Sequence, residues 1–520
     1  MIYGDDAYEP GLLPYIDYVY EDKSRYPLAS TAGYIDDDND YLIGDSGGFL
    51  MNINFMFVNT EVFSEVANHY AEHGTYTLAL EDSPEYDDFW RRETQRRKHG
   101  MTANCKLYHK DVVEYFDKNT TEERRQQLLH PLHITGDHYN HLNYGRMERT
   151  KDARELSESK DKTKKITGFP RFWDGDYWNF KLDNFISSNN FHACKGKARR
   201  KGYSYKRGSQ AANTVNLYKN VTILLAAYLI DYLTDPGATA DMVKTNLDWY
   251  EDNTFWKRGY LSQDLENLQL GYKKQRKGSK KHGWKSKAIS VSLFGNASAA
   301  IGKDALEIDF EEAGKCPNLK KAVQVTLSST EAGAVQTGTI RVYGTGGTEE
   351  ADWEPFAQIY YNPRAYSMMP FENIYDPNSR TQTCGFFHPQ ILNYEPYIDK
   401  WGNSLLVKAF KADKEDKLNK EQDLTISEYI IYVGQRANTP AEAFKLGTEN
   451  IFSSVELTDH YSRLLANSAN IKYRDGILEE KEDKEVTFIT HEELKGMGRK
   501  PDIHPFIEEA PFIPKDDIKG

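Results

Sequence analysis

The chain predicts an α/β fold in which a mainly parallel central sheet is flanked by helices and binds its ligands at the carboxyl edge of the strands. Three stretches predict it. The first is Lys195-Gly196-Lys197-Ala198-Arg199-Arg200-Lys201-Gly202-Tyr203-Ser204, a variant of a phosphate-binding loop. The second is Ala305–Gly314, where Leu306, Ile308 and Phe310 alternate as a strand ending in Glu311-Glu312. The third is Thr339–Tyr343, a short strand that runs into the tip Gly344-Thr345-Gly346-Gly347.

The standard loop is G-x-x-x-x-G-K-[ST]: backbone N–H groups cradle phosphate, the lysine neutralises it and the hydroxyl binds Mg²⁺. Gly202 and Ser204 are in register here, but Tyr203 occupies the lysine position. Lys197 stands at the loop's first position, from which its long stem reaches the same phosphates. Tyr205–Tyr218 then reads as the helix whose N-terminus faces them, and Val221–Tyr228 as a buried strand. An acidic pair at the tip of a strand divides its labour, one carboxylate holding the Mg²⁺ shell and the next orienting or deprotonating the attacking water. Pro317–Ser329 reads as a helix. The glycine tip suits a backbone that closely approaches bound phosphate or transmits its loss.

The remainder of the chain offers less chemistry. Residues 1 to about 55 read as loops and short strands. Asn59–His73 reads as a helix, with Phe63, Val66, Ala67 and Tyr70 on one face and Gly74 as its stop. Thr75–Leu80 looks like a strand, and Asp87–Arg97 and Val112–His130 look helical. His130, His133, His138 and His141 invite a zinc reading, but Pro131 and Gly136 interrupt the helix such a site requires, so they read as loop histidines. Gly168–Phe180 is aromatic and turn-rich, and reads mostly as core with an adenine-facing pocket as the alternative. Phe191–Lys195 makes a poor buried strand for the position before a phosphate loop.

Length and composition set bounds. At 520 residues the chain has room for roughly three domains, and its mean hydropathy is −0.73. Its longest apolar run, Val221–Leu233, is interrupted and falls short of the ~20 residues of a membrane span. The acidic N-terminus shows no secretory pattern, and four scattered cysteines without a C-x-x-C pair fit a reducing compartment. A net charge of −13 argues against a simple basic nucleic-acid binder. However, the basic stretches Lys195–Arg207 and Lys273–Lys287 suit transient phosphate contacts.

With the three anchors in order, the chain resembles the large terminase subunit of tailed bacteriophages, most closely the crAss-like lineage. The resemblance runs from about residue 60 onward and is carried by HITGDHYNHLNY (133–144), FPRFWDGDY (169–177), KARRKGYS (197–204), IDFEEAG (308–314) and GTGG (344–347), with YNPRAY (361–366), GFFHP (385–389) and TPAEAF (439–444). It implies a RecA/ASCE-type P-loop NTPase domain over residues 126–430, after a largely helical region at 1–125 and before a lid or linker segment at 431–520. It implies an ATP-driven motor that moves double-stranded DNA into a procapsid, as a pentamer on the portal protein and with a small terminase subunit. Its place would be the host cytoplasm and, transiently, the portal, not the mature virion. The cofactors would be ATP and Mg²⁺. Lys197 takes the phosphate lysine role by resemblance, Ser204 and Glu311 the Mg²⁺ site, Glu312 the catalytic carboxylate, and Arg199 or Arg200 the arginine finger. Gly344, Thr345, Gly346 and Gly347 match the coupling motif, and Tyr139 and Trp173 lie in the segment that would flank the adenine. Family members continue into a nuclease domain. Glu508, Glu509, Asp516 and Asp517 sit in a Pro-rich stretch with no strand to fix them, so no nuclease activity is expected from this chain alone. The competing readings are a helicase-like or remodelling ATPase and, because of Tyr203, a catalytically inactive scaffold.

Overall fold

Buried strands with apolar side chains on both faces organise the molecule, as expected where helices cover a parallel sheet on both sides. In the computed structural model the described residues are 34–36, 41–43, 55–109, 129–150, 165–273, 281–301, 304–332, 335–346, 350–372, 383–398, 401–404, 406–444, 476–480 and 486–498. Contacts divide the chain into Met1–Ser462 and Arg463–Gly520.

In chain order, the strands of the main sheet are β1 (Ala193–Lys197), β2 (Thr222–Ala227), β3 (Tyr260–Asp264), β4 (Asn267–Leu270), β5 (Lys287–Ser292), β6 (Glu307–Phe310), β7 (Thr339–Gly344) and β8 (Phe386–His388). They lie side by side as β3-β4-β5-β2-β6-β7-β1-β8. The six from β5 to β8 are mutually parallel, and β3 and β4 add an antiparallel edge. This is the α/β, mainly parallel architecture that the sequence predicts. One detail differs. The neighbour of the loop strand β1 is the glycine-tipped β7, and the acidic β6 lies one strand further on.

The helices used below are α1 (Glu65–His73), α2 (Pro84–His99), α3 (Gly136–Tyr144), α4 (Asp174–Ser188), α5 (Tyr203–Leu217), α6 (Thr239–Asn253), α7 (Leu319–Leu327), α8 (Glu350–Tyr361), α9 (Leu406–Asp423) and α10 (Ile426–Gln435). Gly208 lets α5 and α6 pack closely, since a Cβ there would stand 2.6 Å from Met242 Cβ. The expected boundary after residue 430 falls inside α10.

Several expectations change. All five residues of β1 are buried. The segment looked poor because Lys195 counted as polar, but its ammonium is held by Asp183 at 2.5 Å and Asn179 at 2.8 Å on α4. That same α4 covers much of the stretch read as turn-rich. Thr75–Leu80 is no strand: Leu78 and Leu80 are 70% and 80% exposed and have no ladder to join. A strand, Leu129–Ile134, carries His130 and His133, while the earlier residues of the expected Val112–His130 helix lie outside the described ones. Gly136 opens α3 rather than breaking it, with Thr135 as cap. His138 and His141 are therefore core residues of a helix, not loop histidines. Burial pushes His138 well below the usual imidazole range and His141 down to about 3, and both pack against the Phe180 ring.

The N-terminal helices follow their sequence signals. A 3-10 turn, Thr60–Ser64, leads into α1, and Gly74 stops it at φ 70°. In the Arg463–Gly520 unit, the hairpin Gly476–Glu480/Val486–Thr490 leads into His491–Gly496 through a Thr490/Glu493 capping box. Glu508, Glu509, Asp516 and Asp517 lie outside the described residues.

Candidate nucleotide site

β1 ends at Lys197, residues 198–202 form the loop, and α5 begins at Tyr203, two residues earlier than expected. Gly202 takes φ 65°, which glycine adopts without strain. Among the described residues no side chain caps α5, so its first N–H groups remain available to an anion. A Cβ on Gly202 would meet nothing within 4 Å, so this turn faces open space. Lys197 is 8% exposed, and its ammonium has no hydrogen-bond or ion-pair partner among the described residues. Burial lowers its pKa, and the nearby Glu312 and Glu311 oppose that shift. A buried ammonium without a fixed counter-ion beside an uncapped helix start fits a bound polyphosphate.

Lys201, the other lysine in the loop, is committed elsewhere. Its ammonium donates to the carbonyls of Gln390 (2.6 Å) and Leu392 (2.8 Å), and burial brings its pKa down to about 7. Lys206 donates to Asp176 at 2.5 Å and to the Lys201 carbonyl at 2.8 Å. These bonds fix the loop from behind.

β6 delivers Glu311 to Ser204: the serine hydroxyl donates to Glu311 Oε1 at 2.7 Å. Thr239, the first residue of α6, donates to Glu311 Oε2. A buried carboxylate with a hydroxyl on each oxygen, one from the second residue of α5, is a donor set that suits Mg²⁺, which prefers oxygen ligands and keeps several waters. Thr239 was invisible in the sequence. Glu312 follows at φ 50°, a left-handed conformation that a non-glycine residue adopts at some cost. Its carboxylate is 29% exposed, 3.6 Å from Lys315.

Burial raises the Glu311 pKa from 4.5 to about 7, against the two hydroxyl bonds that lower it. The folded protein therefore holds a proton that the unfolded chain releases between those values, so stability falls as pH rises from about 4.5 through about 7. Without nucleotide and Mg²⁺, urea denaturation should show this loss, on the order of 3 kcal/mol, and Glu311→Gln should remove that part of the slope.

The glycine tip is a place of close approach. Its tight contacts are with protein backbone: a Cβ on Gly344 would stand 2.7 Å from Ala313 N, and one on Gly346 1.6 Å from Ala443 O. A Cβ on Gly314 would in turn stand 1.9 Å from Thr345 O. The tip is thus wedged between the turn that follows Glu312 and the short helix Pro440–Ala443. Gly347 lies outside the described residues. Arg199 joins the same C-terminal helices: its amide and guanidinium donate to the carbonyl (2.8 Å) and side chain (2.6 Å) of Gln435 at the end of α10. Arg200, at φ 63°, is exposed.

The two aromatic candidates separate. Tyr139 is 1% exposed and its hydroxyl donates to Glu93 at 2.5 Å, so it is a core residue and not an adenine platform. Trp173, at the start of α4, lines a cavity of about 540 Å³ with Phe169, Arg171, Pro396 and Trp401. No helix among the described residues is long and apolar enough to cross a membrane.

No protein-family model matches the sequence, and no curated protein matches it. Among solved structures, the chain is similar to the large terminase ATPase domain of Thermus phage P74-26, at 14% identity over 47% of this chain and 88% of that one, with a TM-score of 0.31. It is also similar to the large terminase of bacteriophage HK97, at 13% identity over 62% and 64% of the two chains and a TM-score of 0.30. For the large terminase of the thermophilic bacteriophage D6E the figures are 14%, 31%, 35% and 0.20.

Proposed function

We infer that the chain is an ATP-hydrolysing motor subunit of the phage large-terminase kind, of the crAss-like lineage, which drives double-stranded DNA into a procapsid. The observation that carries this reading is the Ser204–Glu311 hydrogen bond, which joins the start of α5 to the acidic strand beside Lys197, whose ammonium has no hydrogen-bond or ion-pair partner among the described residues. The family motifs named above supply the rest.

In this reading the first N–H groups of α5 and Lys197 bind the triphosphate, and Ser204 and Glu311 hold the Mg²⁺ site. Bound Mg²⁺ supplies charge neutralisation at the phosphates. Glu312 orients the attacking water and takes its proton. Arg199 or Arg200 stabilises the charge that builds on the transferred phosphoryl group. The tip Gly344–Gly347 couples the state of the acidic turn to Pro440–Ala443. The partners are duplex DNA, the portal protein, a small terminase subunit and further copies of the chain in a pentamer, in the host cytoplasm and at the portal.

The test is ATP turnover by the purified chain with and without duplex DNA. Duplex should raise turnover several-fold while a forked duplex stays paired. Strand separation would favour the helicase-like reading. Nucleotide bound but never hydrolysed, even with DNA and portal present, would favour an inactive scaffold.

A further inference from the structure

The residue that departs most from the usual loop is Tyr203, and its surroundings assign it a task. Its ring is buried, 4% exposed, between Tyr343 (centroids 6.0 Å apart) and His388 (5.7 Å). Three ammonium groups lie over it, those of Lys206 at 4.6 Å, Lys197 at 5.7 Å and Lys195 at 5.9 Å from the ring centroid. Its hydroxyl makes no hydrogen bond among the described residues.

The three lysines differ in what else holds them. Lys195 is paired with Asp183 and Lys206 with Asp176, each at 2.5 Å. Lys197 has no such carboxylate among the described residues: Glu312 and Glu311 attract it from further off, and Lys206 and Arg199 repel it. No carboxylate fixes the ammonium, so whatever rotamer freedom the buried stem keeps is lost when phosphate binds, which weakens binding. A ring within about 6 Å provides a direction without a negative charge to be displaced when phosphate arrives. A carboxylate in the same place would compete with the ligand.

We propose that Tyr203 is the positioning residue for Lys197, its ring face holding the ammonium toward the phosphate site. The aromatic also explains the displaced lysine. An ammonium at position 203 would be a fourth cation among three that have only two close carboxylates, so the phosphate lysine sits on the strand end and an uncharged quadrupole takes its usual place.

This rests on the reading that Lys197 meets phosphate, and the test separates the two claims. The probe is a fluorescent ATP analogue, titrated in the presence of Mg²⁺ into the full chain, with thermal melting alongside. Tyr203→Phe starts a series in which the same position carries mono-, di- and trifluorinated phenylalanine, which keep the ring's shape while draining its face of negative charge. Affinity should fall stepwise along the series to about tenfold below its start, with the melting temperature nearly constant. The series repeated on Lys197→Ala should be flat. Equal affinity for all ring variants at intact Lys197, or the same stepwise fall without it, would overturn the role of Tyr203. If Lys197→Ala binds the analogue as tightly as the parent chain, the phosphate reading of Lys197 is what fails. Tyr203→Lys should bind at least tenfold more weakly than Tyr203→Phe, and equal binding would also count against the proposal.

Discussion

Glu312→Gln should keep nucleotide bound and lower ATP turnover by about 10²–10⁴-fold, the usual contribution of a positioned general base. The two adjacent carboxylates are not equivalent. Glu311 is 4% exposed and both of its oxygens accept hydroxyl bonds, from Ser204 and Thr239, so it is immobilised and suited to a metal. Glu312 is partly exposed, its near ion-pair partner is Lys315 at 3.6 Å, and its own φ of 50° turns it out of the strand direction. A strained backbone that separates two neighbouring side chains is a frequent property of reacting groups. Glutamine preserves shape and hydrogen bonding but cannot take a proton. Steady-state turnover and equilibrium binding of a fluorescent ATP analogue, measured on the same preparation, check the prediction. Unchanged turnover would remove Glu312 from the mechanism. Loss of binding together with turnover would make it a ligand for the nucleotide instead of a base.

Much of this site could be read from the sequence because its parts are local. Gly202, Ser204 and the start of α5 lie within a few residues, and so do the end of β6 and the acidic pair. Glycine, hydroxyl and paired carboxylates are unusual enough at those spacings to stand out. What could not be read joins distant residues. Thr239 is 72 positions from Glu311, and Gln435 is 236 from Arg199. Neither threonine nor glutamine carries a signal of its own. The order of strands was also hidden, since nothing in β7 says that it inserts between β1 and β6. Two errors had one cause, a residue judged by type without its partner. Lys195 made β1 look too polar for the core because Asp183 was not yet beside it. His138 and His141 looked like loop residues because Gly136 was taken as a breaker, when it opens α3 where a Cβ would stand 2.4 Å from Arg97 O. The tip glycines were recognised as close-approach positions, and at Gly344 and Gly346 the protein's own backbone is what lies close.

Asp309→Ala should cost about 3–5 kcal/mol of stability, the usual price of removing one partner from a buried ionic group. Among the described residues, six ion-paired charges lie beneath the loop 198–202. Arg207 on α5 meets Asp309 at 2.5 Å and Glu307 at 2.8 Å, both on β6. Arg341 on β7 meets Asp183 and Glu307, each at 3.2 Å, and Asp183 also holds Lys195 of β1. Three carboxylates and three cations balance, and Asp309 is 0% exposed. Without its carboxylate, two buried guanidinium groups share too little negative charge. Chemical denaturation of the chain in nucleotide-free buffer measures the loss. The double change Arg207→Met with Asp309→Leu should recover much of it, because Arg341 and Lys195 then remain balanced by Glu307 and Asp183. If the double variant is as unstable as Asp309→Ala, packing and not charge holds these elements together. The functional consequence follows from where the six charges sit. They join α4, α5, β1, β6 and β7, the elements that carry the phosphate loop, Ser204, the acidic pair and the glycine tip. Asp309→Ala should therefore weaken nucleotide binding although Asp309 lies beneath the loop and not among the groups proposed to meet phosphate, and the charge-balanced double variant should restore it in step with stability.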